Sequence, residues 1–306
     1  MKKIVSKKEL EKINIHPNKV LRFLRKLNWL FSVYLKPQHD AVLATRNGIL
    51  AFNNKDKTTG RILSVYKNHE YDEMSDVVDF LKKKKLLSAD KVNIVIDVGG
   101  YIGMSSTGFL VNDLFSKALS FEPSPENFRL LEKNIHLNAL EDKMRAYNIA
   151  LSDEKGSLEF ELSEKNYGDN RVRESTSEGM YGEKNRSVIQ IEANTFDAFL
   201  EENNDINQND IKLLWMDIQG HEGRFIKGAK NFIKQHPKVP MAIEFWPYGI
   251  ERSGMQKDEF VNMLKELYKT FYILGHYDTP HDISEISKYY DENPSGSDGL
   301  NILLMN

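Results

Sequence analysis

The 306-residue sequence predicts an α/β fold, a mostly parallel sheet with helices on both faces. Three observations carry that prediction. From residue 92 onward, short β-branched apolar runs alternate with helical stretches. A glycine-rich turn follows the first of these runs, and acidic residues lie at the ends of four of them. In order, "VNIVIDV" reads as a strand and "MSSTGFLVNDLF" as its helix. "ALSFEP" is the second strand, and "SPENFRLLEKNIHLNAL" a helix with Pro125 near its start, where no N–H is needed. "MRAYNIAL", "IKLLWMDI", "VPMAIEFW" and "FYILG" continue the strands, "HEGRFIKGAKNFIKQ" and "KDEFVNMLKELYKTF" the helices, and "NILLMN" closes the chain.

Ahead of this domain (residues 91–306) lies an extension, residues 1–90. In "KVLRFLRKLNWLFSVYL" the apolar residues recur at three- and four-residue steps with Arg22, Arg25 and Lys26 on another face. It reads as a helix docked on the main domain, with a membrane-surface helix or a homo-oligomer contact as further readings. Residues 41–67 alternate apolar and polar positions around Asn47-Gly48 and Thr59-Gly60, which predicts a small set of strands. "DEMSDVVDFLKKKKLL" then gives a helix. Residues 163–187 break the rhythm as a polar insertion, either a surface loop or a lid.

Composition narrows the function. Hydrophobic residues at 40% and charged ones at 28% suit a soluble protein with a full core. A formal net charge of −3 leaves no basic footprint for nucleic acid. The absence of cysteine excludes disulfides, thiolate metal sites and a Cys nucleophile. No apolar run is long enough to span a bilayer, and the basic start has no signal-peptide stretch, so the expectation is a cytoplasmic protein without stable membrane insertion.

The turn "VIDVGGYIG" is the most informative stretch. Glycines between a strand's carboxyl end and a helix let a ligand approach bare backbone. The dinucleotide fingerprint G-x-G-x-x-G would put Val98 at its first glycine, and Asp97 just before the turn would repel a phosphate. A sulfonium cofactor carrying an ammonium group suits that carboxylate, which favours S-adenosylmethionine. Glu122, followed by Pro123 at the second strand's end, is placed to accept hydrogen bonds from ribose hydroxyls. An NAD-dependent oxidoreductase and a non-catalytic binding protein on the same fold are the alternatives.

Together "VIDVGGYIG", "SFEPSPENFRLLEKNIHLN", "IALSDEKG" and "LWMDIQGHE" resemble the FkbM-type methyltransferases, a branch of the class I S-adenosylmethionine-dependent enzymes. The resemblance runs from about residue 60 to the end. It implies a Rossmann-like, seven-stranded sheet whose last strand, "NILLMN", inserts antiparallel beside the sixth. It also implies methyl transfer to a hydroxyl of a sugar, glycan or secondary metabolite. Asp97, Gly99 and Gly103 match the family's first loop, where Gly100 and Tyr101 replace the usual Ala-Asn pair. By resemblance, Asn148 and Ala150 line the adenine pocket.

On the same rim, Asp217 ends a buried strand and His221 and Glu222 open the next helix. His221 has a pKa suited to deprotonating an acceptor hydroxyl, and Asp217 suits orienting that hydroxyl or the cofactor ammonium. Glu244, Trp246 and Tyr248 follow the next strand and suit a sugar, through hydrogen bonds and stacking. Arg171 and Arg173, in the insertion, suit an anionic acceptor. "GHYDTPHD" groups His276, Asp278, His281 and Asp282, read as a polar loop, and no metal site is assigned.

Overall fold

The structure is a computed structural model that describes residues 6–88, 91–292 and 300–306. After a short helix α1 (Lys7–Leu10), Asn18 caps α2 (Lys19–Leu35) by accepting the Leu21 N–H at 2.9 Å. The helix docks through Trp29 and Val33. The hairpin β1 (Asp40–Thr45) and β2 (Gly48–Asn53) turns one residue earlier than the Asn47-Gly48 pair suggests, at Arg46-Asn47, and Gly48 opens β2 with φ +114°. The next segment departs from the sequence reading, because Thr59–Tyr66 is a helix, α3. Asp56 Oδ1 accepts the N–H groups of Thr58 (2.8 Å) and Gly60 (3.3 Å), satisfying donors that a helix start leaves open. Helix α4 (Tyr71–Lys83) then turns Met74, Val77, Val78 and Leu81 inward.

The alternation that follows runs β3 (Ile94–Val98), α5 (Met104–Val111), β4 (Lys117–Phe121), α6 (Pro125–Leu137) and β5 (Met144–Tyr147). Next come β6 (Ala150–Leu151), β7 (Gly156–Leu162), β8 (Arg171–Val172), β9 (Ser187–Asn194) and α7 (Phe196–Glu202). The chain continues through β10 (Ile211–Met216), α8 (Glu222–Gly228), α9 (Lys230–Gln235), β11 (Met241–Phe245), α10 (Pro247–Arg252) and α11 (Lys257–Leu267). It ends with β12 (Thr270–Ile273), β13 (His276–Asp282), α12 (Ile286–Glu292) and β14 (Leu300–Met305).

Among the described residues the main sheet has eight strands in the order β13-β12-β14-β11-β10-β3-β4-β5. Strands β11, β10, β3, β4 and β5 run parallel, and β14 slots antiparallel between β11 and β12. The inserted final strand is therefore where the resemblance puts it. The eighth strand is a correction: His276–Asp282, read as a loop, pairs antiparallel with β12. It is an edge strand, where Pro280 and charge are tolerated, and His281 stacks on Phe271 with centroids 5.0 Å apart. Every residue of β3 is buried, because apolar layers cover both faces of the sheet.

Topology decides where a ligand goes. From β3 the chain moves one way to β4 and β5, then returns to build β10 and β11 on the other side. The crevice at that reversal, outside the strands' carboxyl ends, is where open α/β sheets bind ligands. Two smaller sheets frame it. The β1–β2 hairpin is held against α6 by buried amides: Asn134 accepts the Ala51 N–H at 2.6 Å and donates to the Ala51 and Ile102 carbonyls. A four-stranded sheet, β6-β9-β7-β8, carries the insertion.

Candidate active site

At the reversal point the turn after β3 passes so close to β10 that a Cβ on Gly99 would sit 2.0 Å from the Asp217 carbonyl oxygen. Its φ of +83° makes the same demand. Asp97, buried under this turn, accepts hydroxyl hydrogen bonds from Ser106 (2.5 Å) and Ser120 (3.1 Å). Burial nonetheless pushes its carboxyl up to about 6. Glu122 accepts the backbone N–H of Tyr101 and of Ser124, each at 2.9 Å. Burial again outweighs those bonds and pushes it up to about 8. A carboxylate has about four acceptor positions, so these bonds leave Glu122 capacity toward the cleft.

Tyr101 shows how its unusual position is used. It adopts φ +49°, aims its N–H at Glu122, and donates its hydroxyl to Asp56 Oδ2 at 2.6 Å. The glycine turn is thereby tied to the N-terminal extension. Pro123, Ala150, Gly100 and the apolar side chains of Ile149, Leu151 and Phe160 complete the inner cleft, whose enclosed part measures about 180 Å³. Gly103 caps α5 with φ +77°, beneath the turn. Asn148 stands off the wall: its amide donates to the Glu122 and Pro123 carbonyls and braces the strand end.

Beyond β10 the cleft opens into a second hollow of about 620 Å³, lined by Trp246, Arg171, Tyr181 and Glu244. Gln219 belongs to both spaces. Its amide nitrogen donates to Asp217 Oδ1 at 2.6 Å and to Glu244 Oε2 at 3.1 Å, joining two carboxylates on the rim. Both carboxyls are raised, first by enclosure in the cleft walls and, for Glu244, by the negative charge of Asp217 beside it. Two like charges this close favour a single shared proton. Gln219 holds φ +55°, a conformation that disfavours any side chain, next to Gly220, where a Cβ would meet the Gly249 backbone at 2.2 Å. Sequence reasoning did not single out Gln219; the only signal was an amide lying between two strand-end acids.

It also missed His69 and Glu70, which the extension delivers to the same floor. Buried Asn47, in the hairpin turn, clamps the His69 backbone by donating to its carbonyl (2.8 Å) and accepting its N–H (3.0 Å). Burial lowers the His69 imidazole, opposed by the charge of Asp217. Glu70 is pushed up to about 8 by enclosure and then by Asp217.

The remaining site residues fall elsewhere. His221 lies at the other end of the cleft, with Nε2 2.9 Å from Ser152 Oγ, and burial pulls its imidazole down to about 4. Glu222 does not line the cleft. Fully buried, it accepts the Ile218 N–H at 3.1 Å, holds the turn 217–221 in place, and is pushed up to about 7 by burial. Tyr248 faces the insertion, accepting the Met180 N–H and donating to Glu183 at 2.7 Å. Arg171, read from the sequence as suited to an anionic acceptor, is instead engaged within the protein by a balanced set of charges. Arg171, Arg186 and Arg252 are matched by Glu161, Asp169 and Glu183. The Arg171 guanidinium also lies 4.8 Å from the Trp246 ring. Its charge is spent on bracing the wall, and the Arg173 backbone N–H pairs with Glu159 in the sheet. Asn166, Tyr167 and Gly168 of the insertion roof the inner cleft, so the segment is a lid rather than a remote loop. Among the described residues no group of three or more His, Asp or Glu is arranged to hold a metal ion.

A sheet with its last strand inserted antiparallel, and an acid at the end of each of its first two strands, is the Rossmann-like fold of class I methyltransferases. Residues 97–274 match the Methyltransferase FkbM domain. The chain belongs to that family. It is 26% identical over 149 residues to 2-O-methyltransferase NoeI of Sinorhizobium fredii, a match covering 45% of this chain and 58% of that protein. The crystal structure of a methyltransferase FkbM from Methylobacillus flagellatus KT aligns at 15% identity and TM-score 0.38, over 72% of this chain and 46% of the other. That of P. horikoshii TYW2 in complex with MeSAdo aligns at 15% identity and TM-score 0.31, over 72% and 58%.

Proposed function

We propose that this methyltransferase uses S-adenosylmethionine to methylate a hydroxyl of a polyhydroxylated acceptor, a sugar or glycan unit. The observation that carries the reading is the carboxylate pair Asp217–Glu244, bridged by Gln219 where the inner cleft meets the outer hollow.

The inner cleft fits the donor chemically. Its carboxyls are raised by burial, which a cationic donor would offset, and the apolar slot beside Ile149 and Leu151 suits a purine. Asp97 and the turn at Gly99 would hold the methionine part, and Glu122 the ribose hydroxyls. When bound, the donor supplies a methyl group on a sulfonium, electrophilic and ready for in-line attack. The chain's task is to hold an oxygen behind it and to take the proton that oxygen loses. Asp217 and Glu244 stand at that junction with carboxyls raised by burial, which makes each a stronger base once it is ionised. Trp246 and Tyr181 line the outer hollow, and aromatic walls of this kind suit the C–H face of a sugar. Of the cations that line the outer hollow, Arg171 and Arg186 are paired with acids, and Lys165 is the one without an acid partner among the described residues.

The test is turnover of S-adenosylmethionine with a panel of glycans and nucleotide sugars, read by the mass of the methylated product. Glu244→Gln and Asp217→Asn are expected to lower kcat by roughly 100-fold or more, with donor affinity little changed for Glu244→Gln. His221→Ala is expected to act mainly on donor affinity. Full activity in both carboxamide variants alongside lost turnover in His221→Ala would return the base to His221.

A further inference from the structure

Helix α2 wears its apolar side outward. Of the twelve large apolar side chains exposed among the described residues, seven stand on this one helix, which decides that the exposure is a surface and not scatter. Phe23 is 59% exposed, Phe31 51%, Tyr34 64% and Leu35 73%. With Val20, Leu24 and Leu27 they fall in an arc of roughly 120° and run for about 22 Å along the axis. The opposite side, Trp29 and Val33, packs on the protein, and Arg25 donates to the Asn14 and Val65 carbonyls there. The helix thus has two apolar faces, and the wider one is uncovered.

Charge says what covers it. Residues 19–35 contain Lys19, Arg22, Arg25 and Lys26 and no acid. At the C-terminal end Lys36 lies 5.7 Å from the Phe31 ring and Lys57 5.8 Å from that of Tyr34. Arg25 is used on the protein side, but Lys19, Lys26, Lys36 and Lys57 border the apolar face, and a second copy pairing through it would bring those cations together unanswered. An anionic phospholipid surface answers them and takes the aromatic and leucine side chains at its headgroup boundary. No helix among the described residues is long and apolar enough to cross a membrane, so α2 would lie along the surface. We propose that α2 docks this protein flat on anionic membranes. Helix α3, packed on α2, starts at the cleft wall with Thr59 and Ile62, so docking brings the cleft to the lipid headgroups. The inference does not depend on the methyl-transfer reading.

The experiment is flotation of the full chain with vesicles of phosphatidylcholine alone and of phosphatidylcholine with phosphatidylglycerol. Binding is expected to the mixed vesicles only, falling about tenfold or more in high salt. Leu27→Glu with Phe31→Glu, and separately Lys19→Glu with Lys26→Glu, are expected to abolish it while the thermal melt is unchanged, since all four side chains are exposed. The proposal is overturned if the wild-type chain floats with neither vesicle, or if it binds both equally without regard to salt. It is equally overturned if light scattering shows a dimer that Leu27→Glu splits and no vesicle binds.

Discussion

Glu122 shows how one residue ties cleft chemistry to stability. Its two N–H partners hold it in position, and burial keeps its proton on well above the ordinary carboxylate range. Glu122→Gln keeps the volume but replaces one carboxyl oxygen with an NH2 group, so one of the two acceptor oxygens facing ribose hydroxyls is lost. Donor affinity measured by calorimetry is expected to fall roughly 10- to 100-fold. The sign of the pH effect follows from the direction of the shifts. Asp97 at about 6 and Glu122 at about 8 hold protons that the unfolded chain releases near pH 4. The folded state binds more protons in that window, so this contribution is complete below it and is lost as pH rises through 6 and then 8. The melting temperature of the ligand-free protein should therefore decline from pH 6 to pH 8, with a shallower slope in Glu122→Gln. A slope that is unchanged in the variant removes Glu122 from the effect.

At the scale of elements, the insertion is held down by ion pairing more than by apolar packing. Asp169 faces both Arg171 and Arg186, and Asp169→Asn would leave two guanidinium groups sharing the remaining acids. A local loss of roughly 2–4 kcal/mol is expected, read as protease cleavage within residues 163–187 before the rest of the chain is cut. Elements were legible where two signals agreed. The strand at Ile94–Val98 combined a β-branched run with a glycine turn, and α6 combined helical spacing with Ser124 and Pro125 at its start. Signals that conflicted were misread. Thr59-Gly60 has turn chemistry, yet Gly60 is there because the Phe52 ring packs 3.3 Å from where its Cβ would stand, so a helix could begin on it. The edge strand β13 has one polar face, and half an alternation looks like a loop. His69 and Gln219 were illegible for another reason. His69 sits in no motif and Gln219 is an unremarked position within "LWMDIQGHE"; each reaches the floor through contacts distant in sequence or by unusual backbone.

Considered whole, the N-terminal extension is part of the site and not an ornament upon it. The amide pairs of Asn134 and Asn138 tie its hairpin to α6, and Asn47 in the hairpin's turn sets His69 beside Asp217. Asn47→Ala should lower global stability by roughly 2 kcal/mol in denaturant titration and reduce kcat by more than that loss explains, because His69 goes adrift. Normal turnover in the variant would separate His69 from the chemistry.

One contact shapes how such a scaffold can change its tastes. At Gly220 and Gly249 the bend bearing the acids and the shoulder bearing Trp246 touch main chain to main chain, with no side chain between them to trim or enlarge. Those two banks shift together or not at all. New acceptors must then be accommodated from across the water, by rewriting the roof over residues 163–187, which lets selectivity drift while the proton-handling groups stay in register.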